Sequence, residues 1–154
     1  MTFIASVSGC LTRKYAVFRG RAGRREFWSF ALPYFLASLI FPFIDAKLGL
    51  WVVEEYRIGL LYALFGLATL SPFLAVVTRR LHDIGRSGWW GAAALLFCIV
   101  FWKMPDRGDS LFWAVSWMST LLILAILAIL LLSWLCMKGT KGRNPYGMDP
   151  FQEE

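Results

Sequence analysis

Four stretches of this chain contain no Asp, Glu, Lys or Arg: Phe27–Ile44, Ile58–Thr78, Ser87–Trp102 and Leu111–Met137. Apolar residues inside them run on without alternating, as in Leu121–Leu132, which reads LLILAILAILLL. A membrane strand needs only about ten residues and alternates with period two. Continuous apolar runs of roughly 18 residues or more instead suit a helix spanning the hydrocarbon core. A helix also satisfies its backbone internally where there is no water to do so. The pattern predicts an all-α membrane protein, a single membrane domain over residues 1–154. Its four transmembrane helices form a bundle, with spans at about 27–44, 58–78, 89–102 and 111–137. The third is short. It crosses by thinning the bilayer or by borrowing Ser87 and Gly88; a re-entrant hairpin is the alternative, but the placement of charge argues for a true crossing. Pro33 and Pro72 lie within the first two spans, at positions where a helix kinks.

The placement of charge gives the orientation. Arg13, Lys14, Arg19, Arg21, Arg24 and Arg25 precede the first span, Arg79, Arg80 and Arg86 follow the second, and Lys138, Lys141 and Arg143 follow the fourth. If all four spans cross, these twelve residues share one side. The other side has Lys47, Arg57, Lys103 and Arg107, mixed with Asp45, Glu54, Glu55, Asp106 and Asp109. Lys and Arg accumulate on the cytoplasmic side. Both termini are therefore expected in the cytoplasm, with residues 1–26 a basic segment and 138–154 a tail. Trp28, Trp51, Trp89, Trp90, Trp102 and Trp113 fall near span ends, where interfacial aromatic residues anchor helices.

Composition narrows the function classes. Charged residues make up 17% of the chain, against about a quarter in a soluble domain. The net charge of +6 sits beside spans rather than along a soluble face, which argues against nucleic acid. Anionic lipid headgroups are the natural counterpart of such flanking charge. Cys10, Cys98 and Cys136 have no paired spacing, and no metal or cofactor site is expected. Before the first span, RKYAVFRGRAGRREFW spaces Tyr15, Phe18 and Ala22 as an interfacial helix would. A structured basic loop is the alternative, since Gly20 and Gly23 each cost about 1 kcal/mol of helix preference.

Residues 79–91, RRLHDIGRSGWWG, hold the single histidine. His82, Asp83 and Ser87 supply the residue types of a hydrolase triad, but adjacent residues diverge in direction, so His82 and Asp83 do not line up for that chemistry. Gly85-Arg86-Ser87-Gly88 matches the G-x-S-G of rhomboid proteases, yet the chain has no second histidine to face the serine. One histidine among scattered carboxylates makes no metal-ligand set. A structural turn uses more of the residues. Arg79 and Arg80 end the second span, Gly85 and Gly88 permit the turn, Ser87 caps the third helix, and Trp89 and Trp90 anchor its start.

Three motifs now stand out: Phe18-x-Gly20-Arg21-x-x-Arg24-x-Glu26-Phe27-Trp28, then Arg79 to Trp90, then Gly142-x-Asn144-Pro145-Tyr146-Gly147-Met148-Asp149-Pro150. Together they resemble the small bacterial inner-membrane proteins grouped as domain of unknown function 805. The resemblance covers nearly the whole chain, implies a helical inner-membrane protein, and carries no particular activity. All three motifs fall on the side assigned to the cytoplasm. They are expected to meet in one polar patch made of Arg21, Arg24, Arg25, Glu26, Arg79, Arg80, His82, Asp83, Arg86, Ser87, Asn144, Tyr146 and Asp149. Glu26, Asp83 and Asp149 would be internal counter-charges, leaving arginines for an anion, since the guanidinium fork suits phosphate. The leading expectation is a non-enzymatic membrane protein whose patch binds anionic headgroups, a membrane protein partner or a second copy of itself. A small transporter or channel component is one alternative, although no Asp, Glu, Lys, Arg or His lies within a span. An enzyme acting on lipid headgroups or phosphorylated substrates, with His82 as acid–base, is the other.

Overall fold

The computed structural model describes residues 3–54, 57–102 and 111–150. Among the described residues there are five helices: α1 (Phe3–Leu11), α2 (Arg24–Leu48), α3 (Leu60–Asp83), α4 (Trp89–Trp102) and α5 (Leu111–Cys136). A small antiparallel pair, β1 (Trp51–Val53) and β2 (Ile58–Gly59), lies between α2 and α3. Among the described residues, three helical segments are long and apolar enough to cross a membrane: Arg24–Leu48, Leu60–Asp83 and Trp117–Cys136. The 14 residues of α4 rise only about 21 Å at 1.5 Å each, short of a hydrocarbon core of about 30 Å. The side chains of residues 97–102, 111–114 and 116 lie outside those described, and with them Trp102 and Trp113.

The sequence pattern anticipates each long helix, but α2 and the end of α3 run past its limits. Charge, which ends an apolar run, does not end a helix. α2 starts at Arg24 and continues through Asp45 and Lys47. α3 carries Arg79, Arg80, His82 and Asp83 as its last turn. Pro33, Pro42 and Pro72 are all held inside helices. Ahead of α2 the structure takes the loop alternative, because the amphipathic spacing is interrupted by Gly20 at a φ of +84°. The helix in that region is α1, further upstream.

Packing is concentrated at one end of the molecule. The buried apolar cluster contains Cys10, Ala22, Phe27, Phe30, Ala31, Val76, Val77, Leu81 and Leu135. It lies where the start of α2, the end of α3 and the end of α5 come together. Farther along, Tyr34 stacks on Phe73 with ring centroids 4.2 Å apart, while Leu36, Leu39, Leu64 and Leu67 face outward. Outward-facing leucine is the expected solution in lipid, where burying apolar surface between helices gains little over leaving it in acyl chains. At the opposite end, the Asp45 carboxylate is fully buried. It accepts the Leu61 and Tyr62 amides at 3.0 and 2.9 Å. These are two of the four amides a helix start leaves open, so α2 caps α3 in place of Gly59, which has no side chain to do so.

Candidate functional site

The last turn of α3 organises the packed end. Successive residues on a helix point about 100° apart, so Arg79, Arg80, His82 and Asp83 reach different neighbours. Arg79 turns to the N-terminal elements, where its Nη1 pairs with Glu26 Oε1 and its Nη2 donates to the Cys10 sulfur at 3.8 Å. Lys14 completes this group with Nζ 3.0 Å from the same Glu26 oxygen. Burial raises the Cys10 thiol above the usual thiol range, with the Glu26 charge adding to the effect. Arg79 Nε is buried without a partner.

Arg80, fully buried, turns the other way. Its Nε donates to the Leu135 carbonyl at 3.0 Å and its Nη2 to the Met137 carbonyl. These carbonyls are among those a helix C-terminus leaves open, and a cation there also meets the negative end of the helix dipole. Arg80 therefore closes α5. Asp83 sits between two guanidinium groups: Oδ1 accepts from Arg21 Nε at 3.0 Å, and Oδ2 accepts from Arg80 Nη1 at 2.5 Å.

Arg21 reaches this carboxylate from the N-terminal loop, whose Ala22 amide donates to the Arg79 carbonyl at 3.0 Å. Its other donors enter the C-terminal tail. Nη1 donates to the Gly142 carbonyl at 2.6 Å, and Nη2 to the Thr140 carbonyl. The tail returns further bonds to α3. Thr140 N and Oγ1 donate to the Asp83 carbonyl at 2.9 and 3.1 Å, and Asn144 Nδ2 donates to the His82 carbonyl at 2.9 Å. Asn144 Oδ1 takes the Tyr146 amide at 2.9 Å, an Asx turn that lays the tyrosine ring on His82 with centroids 3.9 Å apart. Asp149 Oδ2 accepts the Gly142 amide at 3.2 Å.

Between α3 and α4, Gly85 has a φ of +75°, a conformation other residues rarely adopt. Gly88 is required for a different reason: a Cβ there would lie 2.3 Å from the Thr78 methyl. Ser87 Oγ accepts the Trp89 amide at 3.4 Å, the expected cap in a long form. Arg86 lies over the Trp134 ring, 4.7 Å from its centroid, and Trp90 meets that ring edge-on.

The structure brings part of the expected set together: one group is bonded internally, two others line open recesses, and Arg86 lies apart over Trp134. Arg21, Glu26, Arg79, Arg80, Asp83, Asn144 and Asp149 are engaged in joining the chain's own segments. Arg21 is therefore not left for an anion: its side chain is 1% exposed, beside an Asp83 that is 2% exposed. Arg24 and Arg25 are exposed and have no hydrogen-bond or ionic partner among the described residues. They line an open recess of about 640 Å³ with Trp28 and Cys136. His82, Ser87 and Tyr146 line a second cavity beside the first turn of α4. The triad geometry is absent, since His82 Nδ1 bonds the Gly20 carbonyl at 3.2 Å while both Asp83 oxygens are held by arginines. Sequence reasoning missed Cys10, Lys14, Thr140, Trp134 and Asp45. Of these, only Thr140 and Lys14 lie within four residues of a motif.

A family model described as "Protein of unknown function (DUF805)" matches residues 15–148. The chain belongs to this family. The DUF805 match takes in the N-terminal loop, the α3 hub and the tail, and starts after α1. The chain is 33% identical to "Inner membrane protein YhaH" of Escherichia coli K12 over 138 residues, covering 90% of each chain. It is 36% identical to "Inner membrane protein YhaI" of the same organism over 138 residues, covering 90% of this chain and 89% of that one. A third E. coli relative, "Uncharacterized protein YiiR", is 33% identical over 137 residues, covering 86% of this chain and 84% of the other. No solved structure matches the chain significantly.

Proposed function

We propose that this protein is a non-enzymatic, multi-pass protein of the bacterial inner membrane whose Arg24–Arg25 recess binds the phosphate of anionic lipid headgroups at the cytoplasmic surface. The observation that carries the reading is the exposure of these two guanidinium groups, without partners among the described residues, in a recess shared with Trp28 and Cys136. They stand at the first turn of α2, immediately before an apolar span, at headgroup depth. Guanidinium forks take phosphate oxygens two at a time. The positive end of the α2 dipole adds to their field, and the cap residue Gly23 provides no side chain to occupy the first-turn amides. Arg86, exposed over Trp134, supplies a third cation at the same end.

Four crossings with both termini inside are part of this reading. The ends of α3 and α5, the start of α4 and the tail all meet at one pole, and the twelve basic residues lie in the segments joined there. The positive-inside bias assigns that pole to the cytoplasm. The names of the relatives YhaH and YhaI support the membrane assignment.

The test is retention of phosphatidylglycerol and cardiolipin by detergent-purified protein, read by native mass spectrometry. The double variant Arg24→Gln/Arg25→Gln is expected to lose most of the bound anionic lipid while keeping the wild-type melting temperature. Equal retention refutes the headgroup site. Loss of a co-purifying protein from the same variant, with lipid unchanged, transfers the recess to a protein partner.

A further inference from the structure

The second cavity, of about 590 Å³, opens between α3, the first turns of α4 and the tail. Its volume is in the range of small-molecule sites, roughly 300–1,000 Å³. No charged side chain is among its lining residues. Leu74 lies about two turns before His82 on α3, and Ala92 lies about one turn beyond Ser87 into α4, so the lining passes from apolar to polar toward the α3–α4 turn, where Tyr146 of the tail also borders it. Such a division fits a molecule with an uncharged polar head and an apolar tail that lies in the membrane.

The imidazole makes the match more specific. A carbonyl only accepts, so His82 Nδ1 donates to Gly20 O and the neutral ring leaves Nε2 as an acceptor. Nε2 has no partner among the described residues. Tyr146, stacked 5° from parallel, fixes the ring plane, and the Asn144 turn holds the tyrosine in place. Asp83 does not compete for this nitrogen, because Arg21 and Arg80 hold its oxygens. The result is an oriented acceptor in a cavity that Ser87 also lines, and a ligand hydroxyl is the kind of donor that complements it.

We infer that this cavity binds an uncharged membrane amphiphile bearing hydroxyl groups, of the monoacylglycerol type. A hydroxyl of the head donates to His82 Nε2, and the chain runs out past Leu74 and Ala92. The site is separate from the Arg24–Arg25 recess and takes the opposite kind of head, so either can fail without the other.

The test uses the full chain in detergent titrated with 1-oleoylglycerol, with binding read by native mass spectrometry. Wild type is expected to give a saturable one-to-one complex. Ala92→Phe fills the apolar side from an exposed position and is expected to abolish it. His82→Asn keeps a donor for Gly20, removes the Nε2 acceptor and is expected to weaken binding by roughly fivefold, the value of one neutral hydrogen bond. Arg24→Gln/Arg25→Gln leaves it unchanged. A photoreactive 1-acylglycerol on wild type, which does not depend on any variant folding, is expected to label Trp89 or Tyr146. Absence of binding, equal binding by wild type and Ala92→Phe, or labelling confined to the outer face of α5 overturns the assignment.

Discussion

Asp83→Asn is the most incisive perturbation of the packed end. The carboxylate is 2% exposed and faces two guanidinium groups whose side chains are 1% and 0% exposed. The substitution keeps size and shape and removes only the charge. Breaking a buried pair from one side costs about 3–5 kcal/mol, because the remaining charge stays buried without compensation. Here two cations are stranded, yet each keeps carbonyl acceptors: Thr140 and Gly142 for Arg21, Leu135 and Met137 for Arg80. Those bonds hold the expected loss near the lower figure, about 3 kcal/mol. For a chain of this length about 2–4 °C of melting temperature follows each kcal/mol, so a fall of roughly 6–12 °C is expected.

The assay is thermal unfolding in detergent by near-ultraviolet circular dichroism, with limited trypsin digestion at Lys141 and Arg143 as a local readout of tail docking. Arg86→Gln, at an exposed cation, is the control and is expected to move the midpoint by under about 1 kcal/mol equivalent. The coupling is also directional. In Asp83→Asn/Arg21→Gln the stranded charge on Arg21 is gone, so the double variant is expected to fall short of the sum of the singles. Strict additivity, or a melting temperature for Asp83→Asn within 2 °C of wild type (about 1 kcal/mol or less), refutes the claim that this ion cluster holds the three motifs together.

Two further outcomes follow from buried groups outside the motifs. Asp45→Ala removes the cap that α2 provides for α3 and is expected to cost about 1–2 kcal/mol, read as a lower melting temperature. Tail cleavage should not change, since Asp45 is at the other pole, and faster cleavage at Lys141 counts against this account. Cys10 is buried with its thiol held protonated above the usual range. In a Cys98→Ser/Cys136→Ser background it is expected to resist maleimide at pH 7.5 until the protein unfolds. A group whose folded pKa is raised contributes stability fully present below the unfolded value and lost as pH rises through the folded one. That contribution is therefore expected to disappear on the alkaline side of the ordinary thiol range, and wild-type stability should lose it where a Cys10→Ala variant does not.

Much of the membrane architecture was written in hydrophobicity: the charge-free runs located α2, α3, α4 and α5 to within a few residues. The turn at Gly85 and the three motifs were also readable, because glycine, proline and clustered charge mark places where ordinary helix rules fail. What could not be read was allegiance. Nothing in RRLHD indicates that Arg79 serves the N-terminus, Arg80 the end of α5 and Asp83 the tail. That assignment depends on the 100° step along α3 and on which segment arrives at each angle. The same limit hid Asp45, whose polarity suggested a loop although its carboxylate caps a helix start. Arg21 was misjudged as an anion ligand for this reason too, since a basic motif beside a membrane looks alike whether its charge is free or paired.

These allegiances change where function should be sought. The residues that carry the family resemblance most strongly are largely spent on joining segments, and apart from the buried Arg79 Nε their charged groups are matched inside the protein. Arg80 and Asp83 retain little capacity for a ligand, because any ligand bond would have to replace one already made at full burial. Charges at the edge of the motifs, on Arg24, Arg25 and Arg86, have no such obligation. The His82 ring stands between the two classes, with one nitrogen committed to Gly20 and the other open. A patch that first looks like one large basic site therefore separates into an internal clasp with two open edges, one cationic and one neutral, which are the two lipid sites proposed above. The clasp fixes the geometry of both edges, so disrupting it by Asp83→Asn should weaken both kinds of lipid binding together, whereas an edge variant should affect only its own.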